Sequence, residues 1–235
     1  MGVQFMLKLI NLEIRKFKLW NYWKAVLICN ISFIALLCMI YFIEVGEGFD
    51  LFNNFEMVTN VIGAMVRATF TIFASVIIVK LIIDEYKNKS IDVLFTYPIK
   101  RKKIITAKLI IVFTFTFFFV LLSTFFLEGL VFLMDFTFNI LPGDVTVENM
   151  SKHVITVFMN SLATAGISLI PLLVGMHRKS GPATIVASIL IAGVLNSTSE
   201  DFTLFSIIAI PLLVGMFGIL SGYYSIRNIE KQDLV

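Results

Sequence analysis

Residues 84–103, DEYKNKSIDVLFTYPIKRKK, separate two stretches too apolar to remain in water. Residues 61–83 read VIGAMVRATFTIFASVIIVKLII, and residues 104–126 read IITAKLIIVFTFTFFFVLLSTFF. Each flank exceeds the roughly 20 apolar residues an α-helix needs to cross the hydrocarbon of a bilayer. The segment between them is therefore a membrane-edge loop, and the fold follows from counting the other runs of the same kind.

The chain has 235 residues, of which 58% are hydrophobic and 15% charged, with a mean hydropathy of +0.93. Soluble domains average about 45–50% apolar and about 25% charged, so the expected class is an all-α, polytopic membrane protein. Six runs qualify as spans, at Lys24–Ile43, Val58–Ile83, Ile104–Met134, Val154–Met176, Pro182–Leu195 and Phe202–Gly222. The third is long enough to project from a bilayer, and the fifth is short. Phe supplies 24 residues, which suits lipid-facing and interhelical packing. Cys29 and Cys38 fall about 180° apart around one helix, so they cannot pair and are expected to be buried packing residues.

Lys and Arg set the orientation. With both termini in the cytoplasm, the inner side collects Lys8, Arg15, Lys16, Lys18 and Lys24, the basic residues of the 84–103 loop, Arg178 and Lys179, and Arg227 and Lys231. The outer loops then carry a single basic residue, Lys152, against nine acidic ones from Glu44 to Asp201. That asymmetry is the positive-inside pattern.

Residues 1–23 are expected to form an interfacial amphipathic helix ahead of a six-span membrane domain at 24–235. Lys8, Asn11, Arg15 and Lys18 share one arc, with Leu7, Leu9, Ile10, Ile14, Phe17 and Trp20 opposite. Glu13 is the one misfit. Trp20, Tyr22 and Trp23 mark headgroup level, and anionic lipid attracts the basic arc.

In the opening loop, Lys80–Leu94 continues the second span outward and spaces Lys80 and Asp84 at i,i+4. A short amphipathic helix follows, then a Pro-containing turn, and KRKK anchors the next helix to the inner leaflet. Ile91, Val93, Leu94 and Phe95 need an apolar partner, either the bilayer surface or another protein.

Residues 84–110 resemble the signature region of ABC-2 type permeases, the membrane subunits of type-2 ABC exporters. In that family an acidic residue and a short polar run leave the second span. A Leu-rich helix, a small-x-Pro-[Ile/Val] turn, a basic cluster and a Lys opening the third span follow. Glu85, Leu94, Pro98, Ile99, Arg101 and Lys108 occupy those places, while Tyr97 stands where a small residue is commoner. The resemblance implies that Glu85–Phe95 is a coupling helix seated in a groove of a cytoplasmic ABC ATPase. Glu85, Tyr86, Ile91, Leu94, Phe95 and Pro98 are then its coupling residues. It also implies two ATPase copies and a second permease subunit, as a homodimer or heterodimer.

None of the 13 Gly residues opens a G-x-x-x-x-G-K-[S/T] phosphate loop, and GMHRKSG is the nearest failure. ATP is expected to be used by a separate chain, with no cofactor held here. Enzyme readings fail on inventory. His153 and His177 lie at opposite ends of the fourth span, about 35 Å apart, and Ser32, Ser75, Ser123, Ser168 and Ser188 have no paired base.

Two intramembrane charges remain, Arg67 in the second span and Glu128 in the third. Antiparallel neighbours make an Arg67–Glu128 ion pair the expected arrangement, since a lone charge at that depth is costly. The motif IPLLVGM occurs at 170–176 and again at 210–216 with unrelated flanks, so it is no repeat unit. Each Pro should kink its span, with Gly175 and Gly215 allowing close approach. The expected function is a permease subunit of an ATP-driven exporter in a bacterial plasma membrane. Its partners are the ATPase, a second permease subunit and membrane lipid, with no nucleic acid. Amphipathic or hydrophobic cargo, such as an antimicrobial peptide, drug or lipid-like molecule, suits the Phe-rich lining. The alternatives are an ion-gradient-driven transporter or channel and a non-transporting membrane scaffold.

Overall fold

The computed structural model describes residues 2–47, 55–87, 101–138, 147–199, 202–205 and 207–232. Apolar runs of this length must satisfy their backbone polar groups internally, and helices do so. Helix α1 (Gly2–Lys16) is followed by a 3₁₀ turn at Leu19–Asn21 and α2 (Tyr22–Glu47). Helix α3 (Phe55–Ile78) passes through a π-helical turn at Val79–Ile83 into the short α4 (Asp84–Lys87). Then come α5 (Arg101–Phe138), α6 (Val147–Ile167), α7 (Pro171–Arg178), α8 (Gly181–Leu195) and α9 (Ala209–Gln232). Between α8 and α9 a minimal antiparallel pair joins Thr198 to Thr203 and Ser199 to Phe202.

Four helical segments are long and apolar enough to cross a membrane: Tyr22–Ile43, Met57–Lys87, Lys102–Asp135 and Ser151–Arg178. Two shorter apolar helices, Gly181–Leu195 and Ala209–Ser225, complete the set. The last starts later than the sequence pattern predicts, at Ala209 rather than Phe202. Phe202 and Thr203 are drawn into the strand pair, and Pro211, lacking an N–H, fits the first turn of the helix. The fourth segment is two helices. Its chain turns at Ser168–Ile170, and Pro171 opens α7.

The chain turns two corners on lysines in the left-handed region, Lys18 (φ 49°) after α1 and Lys179 (φ 47°) after α7. A left-handed non-glycine residue costs about 1 kcal/mol, which packing on either side must offset. Helix α6 lies along α9, α3 lies against α5 and α8, and α5 also meets α6. A Cβ on Gly215 would stand 2.8 Å from the Ala163 carbonyl oxygen, so the α6–α9 crossing requires glycine there. Gly175 likewise leaves room for the Thr184 side chain of α8.

Two apolar cores stack along the bundle. One surrounds Ile77, Ile78, Leu81, Ile105, Val112 and Leu172; the other surrounds Val26, Ile62, Val66, Phe70, Val120 and Leu127. Phe73 and Phe115 pack against both, and Phe115 meets Phe119 with ring centroids 4.2 Å apart. Helix α2 is the least enclosed span: 17% of its apolar window is buried within the chain, against 61% for α3. Cys29 and Cys38, expected to be buried packing residues, are free thiols on that helix and half-buried.

Candidate functional site

Four charged side chains converge where α1, α4 and the start of α5 meet. Glu13 is the misfit on the apolar arc of α1, and its carboxylate is buried. Lys108, two turns into α5, is buried as well and has three N–H donors to satisfy. Its Nζ donates to the Leu81 carbonyl oxygen of the π-helical turn at 2.6 Å. It also donates to Glu85 Oε2 and lies 3.8 Å from Glu13 Oε2. Lys16, half exposed on α1, reaches the other Glu85 oxygen at 2.6 Å. The Phe17 ring sits beside both ammonium groups, 5.0 Å from Lys16 Nζ and 5.5 Å from Lys108 Nζ.

This arrangement ties both roots of the 88–100 segment to the amphipathic helix. Breaking one partner of such a buried set typically costs about 3–5 kcal/mol, because it strands the other charge. Burial pushes the Glu13 carboxyl above its ordinary value of 4.5, and Lys108 pulls it back down. Glu85 and Lys108, expected from the sequence as separate motif positions, are thus in direct contact. Tyr86 packs against the first core. Ile91, Leu94, Phe95 and Pro98 lie outside the described residues. Lys80 stands over the Tyr22 ring at 5.3 Å. The Asp84 N–H donates to the Val79 carbonyl, five residues back.

The second pair of charges lies in the half of the bundle away from α1, and the expected Arg67–Glu128 ion pair is not formed there. Arg67 Nε donates to Asn196 Oδ1 at 3.3 Å, and the guanidinium lies over the Phe205 ring at 4.0 Å. Glu128 Oε1 is 3.1 Å from His153 Nε2 on α6. The two charges still attract through space, but the rotation of α3 turns Arg67 toward the end of α8. Helix α5 turns Glu128 toward α6. His153 had a legible signal, being a polar residue at the start of the span that follows Glu128. Asn196 and Phe205 had none, since the chain segment after α8 gives no periodicity to place them.

Polar contacts between spans hold these orientations. Asn30 Nδ2 donates to Ser123 Oγ at 3.0 Å, joining α2 to α5, and the Ser75 and Ser188 hydroxyls meet at 2.9 Å between α3 and α8. In an apolar medium such bonds orient helices that have little hydrophobic reason to associate. Ser75, Ser123 and Ser188, which have no paired base, thus serve to bridge neighbouring helices.

The sequence profile of the ABC-2 family transporter proteins matches residues 9–196. That range includes Glu13, Arg67, Glu85, Lys108, Glu128, His153 and Asn196. An uncharacterized Bacillus subtilis (strain 168) protein, YcbO, is 40% identical over 227 residues, covering 97% of this chain and 100% of its own length. No solved structure matches.

Proposed function

We propose, since this chain belongs to the ABC-2 family of transporter proteins, that it is the permease subunit of an ATP-driven exporter, powered by a separate cytoplasmic ATPase. The family makes it a multi-pass membrane protein and a transport component without its own ATPase site. In the proposed topology the four long spans and the two shorter apolar helices all cross a bacterial plasma membrane, with both termini in the cytoplasm. The Lys and Arg asymmetry supports that orientation. Residues 1–23 would be the interfacial segment, whose helix is Gly2–Lys16, residues 24–235 the permease domain, and residues 84–103 the coupling loop.

The observation that carries this reading is the Glu85–Lys108 contact with Glu13 and Lys16 around it. A loop that receives the push of an ATPase must have a stiff base, or the stroke is lost in the loop itself. Here the exit of the second span and the start of the third share a buried ion pair, and the interfacial helix is held to the same pair. Two ATPase copies and a second permease subunit would complete the transporter. Its cargo would be amphipathic or hydrophobic, of the antimicrobial-peptide, drug or lipid-like kind.

The test is to tag the chain in its native host, extract it in mild detergent and ask which soluble protein follows it. Copurification of an ATPase whose hydrolysis responds to the permease is the expected result. A permease that transports in vesicles energised only by an ion gradient, with no ATPase bound, would overturn the proposal.

A further inference from the structure

Arg67 is the sole basic residue of α3 and is only 8% exposed, yet its guanidinium is poorly used. Of its five N–H donors, Nε reaches Asn196 Oδ1 at 3.3 Å, the long end of hydrogen bonding. Among the described residues the four N–H groups on Nη1 and Nη2 have no acceptor. The carboxylate best placed to take them, Glu128, sits on His153 instead.

The group is nevertheless held in place. Phe205 covers it at 4.0 Å. Asn196 is oriented by its own Nδ2, which donates to the Ala192 carbonyl at 2.9 Å, so its oxygen faces Arg67. Gly63, one turn before Arg67, lies beneath Nη1; a Cβ at that position would be 2.6 Å from it. A positioned guanidinium with an open fork, set in an apolar bundle, matches a planar or tetrahedral group with two anionic oxygens. A charge at such depth is costly until something neutralises it.

We propose that Arg67 is the headgroup subsite for an amphiphile carrying a carboxylate or phosphate on an apolar tail. The inference rests on the transport reading above, and it narrows the cargo or lipid class to anionic amphiphiles. Glu128 acts against such a ligand by its charge, and it lies 3.1 Å from His153 Nε2 rather than on the fork.

The experiment uses the purified full-length chain in neutral detergent without an ATPase, with dodecyl phosphate as probe and bound copies counted by native mass spectrometry. Saturable binding is expected, weakened at least about tenfold in Arg67→Gln, the effect of losing a charge-assisted bond. Arg67→Lys, which keeps the charge but not the fork, and Gly63→Ala, which displaces Nη1, should weaken it too. Both serve if Arg67→Gln fails to fold. Glu128→Gln should tighten it, an effect that a merely structural Arg67 would not give. Phosphatidylglycerol that displaces the probe identifies a bilayer lipid as the natural occupant; failure to displace it identifies cargo. Binding by inorganic phosphate as strong as by the alkyl phosphate would contradict an amphiphile site. Unchanged affinity in Arg67→Lys and Gly63→Ala would overturn the proposal outright. Since no ATPase is present, failure here leaves ATPase coupling standing, and failure of ATPase copurification leaves this measurement unaffected.

Discussion

The two halves of the bundle treat buried charge in opposite ways. At the α1 end, Lys108 and Glu85 meet directly, and Glu13 and Lys16 bring the set to two carboxylates and two ammonium groups. In the other half, Arg67 and Glu128 are close enough to attract but are turned to different partners. A buried carboxylate and ammonium in direct contact fix geometry, because any movement exposes unpaired charge. A set left open holds a position and keeps valence for something else. The first suits the base of a loop that transmits force, and the second suits a place where molecules arrive.

Lys108→Met should break this contrast most severely. It leaves Glu85 and Glu13 buried without their shared cation, and the expected loss is about 3 kcal/mol or more. Thermal unfolding of the detergent-solubilised protein, followed by fluorescence, reads it. Adding Glu85→Gln should recover part of the loss, because the carboxylate that met Lys108 directly is gone. A double mutant no better than Lys108→Met would mean the pair does not interact as its geometry requires. Lys16→Ala, half exposed, should cost less than about 1 kcal/mol.

The opposite half should respond differently. Arg67→Gln and Glu128→Gln each remove a charge that has another partner, so their effects on stability should add within about 0.5 kcal/mol. A coupling energy as large as that of Lys108 and Glu85 would show that a direct ion pair forms in the membrane after all, and the contrast would fail.

The smallest effect concerns Glu13. Its folded-state pKa is raised, chiefly by burial, so the folded protein binds that proton more tightly than the unfolded chain does. The resulting stabilisation is full below the ordinary value of 4.5 and is lost as pH rises through the raised value. Hydrogen exchange of the α1 amides should therefore quicken across that window beyond its intrinsic pH dependence. Glu13→Gln should remove the extra slope. A slope that survives the substitution would assign it to another group.

The long apolar runs were legible because desolvation alone dictates them. The segment Tyr22–Ile43 and the segment Lys102–Asp135 begin and end within about two residues of the sequence pattern, the usual uncertainty of a helix end. The break before Pro171 was also legible, since proline removes an N–H and crowds the preceding turn. What the pattern could not supply is rotation of each helix about its own axis. The partners of Arg67 and Glu128 depend on that rotation, and span order alone gave the wrong pairing. The π turn at Val79–Ile83 was hidden for a similar reason: it widens one turn of the helix without altering composition. Glu13 was visible as an anomaly. The periodicity gave it no partner: Lys108 was placed only as the Lys opening the third span, and its approach to Glu13 depends on how α1 docks on α5.

In the proposed transporter the α3–α5 loop receives an ATPase on a base held rigid by Glu85 and Lys108. Leu94→Asp tests it most directly, because it changes the proposed contact surface and leaves that base intact. Burying an unpaired carboxylate in an apolar contact costs several kcal/mol, enough to abolish a docking of about micromolar strength. The measurement is the amount of ATPase recovered per tagged permease, together with export by the same cells. The expected result is a permease that folds and inserts at wild-type levels but brings down no ATPase and exports nothing. A full complement of ATPase with normal export would contradict it.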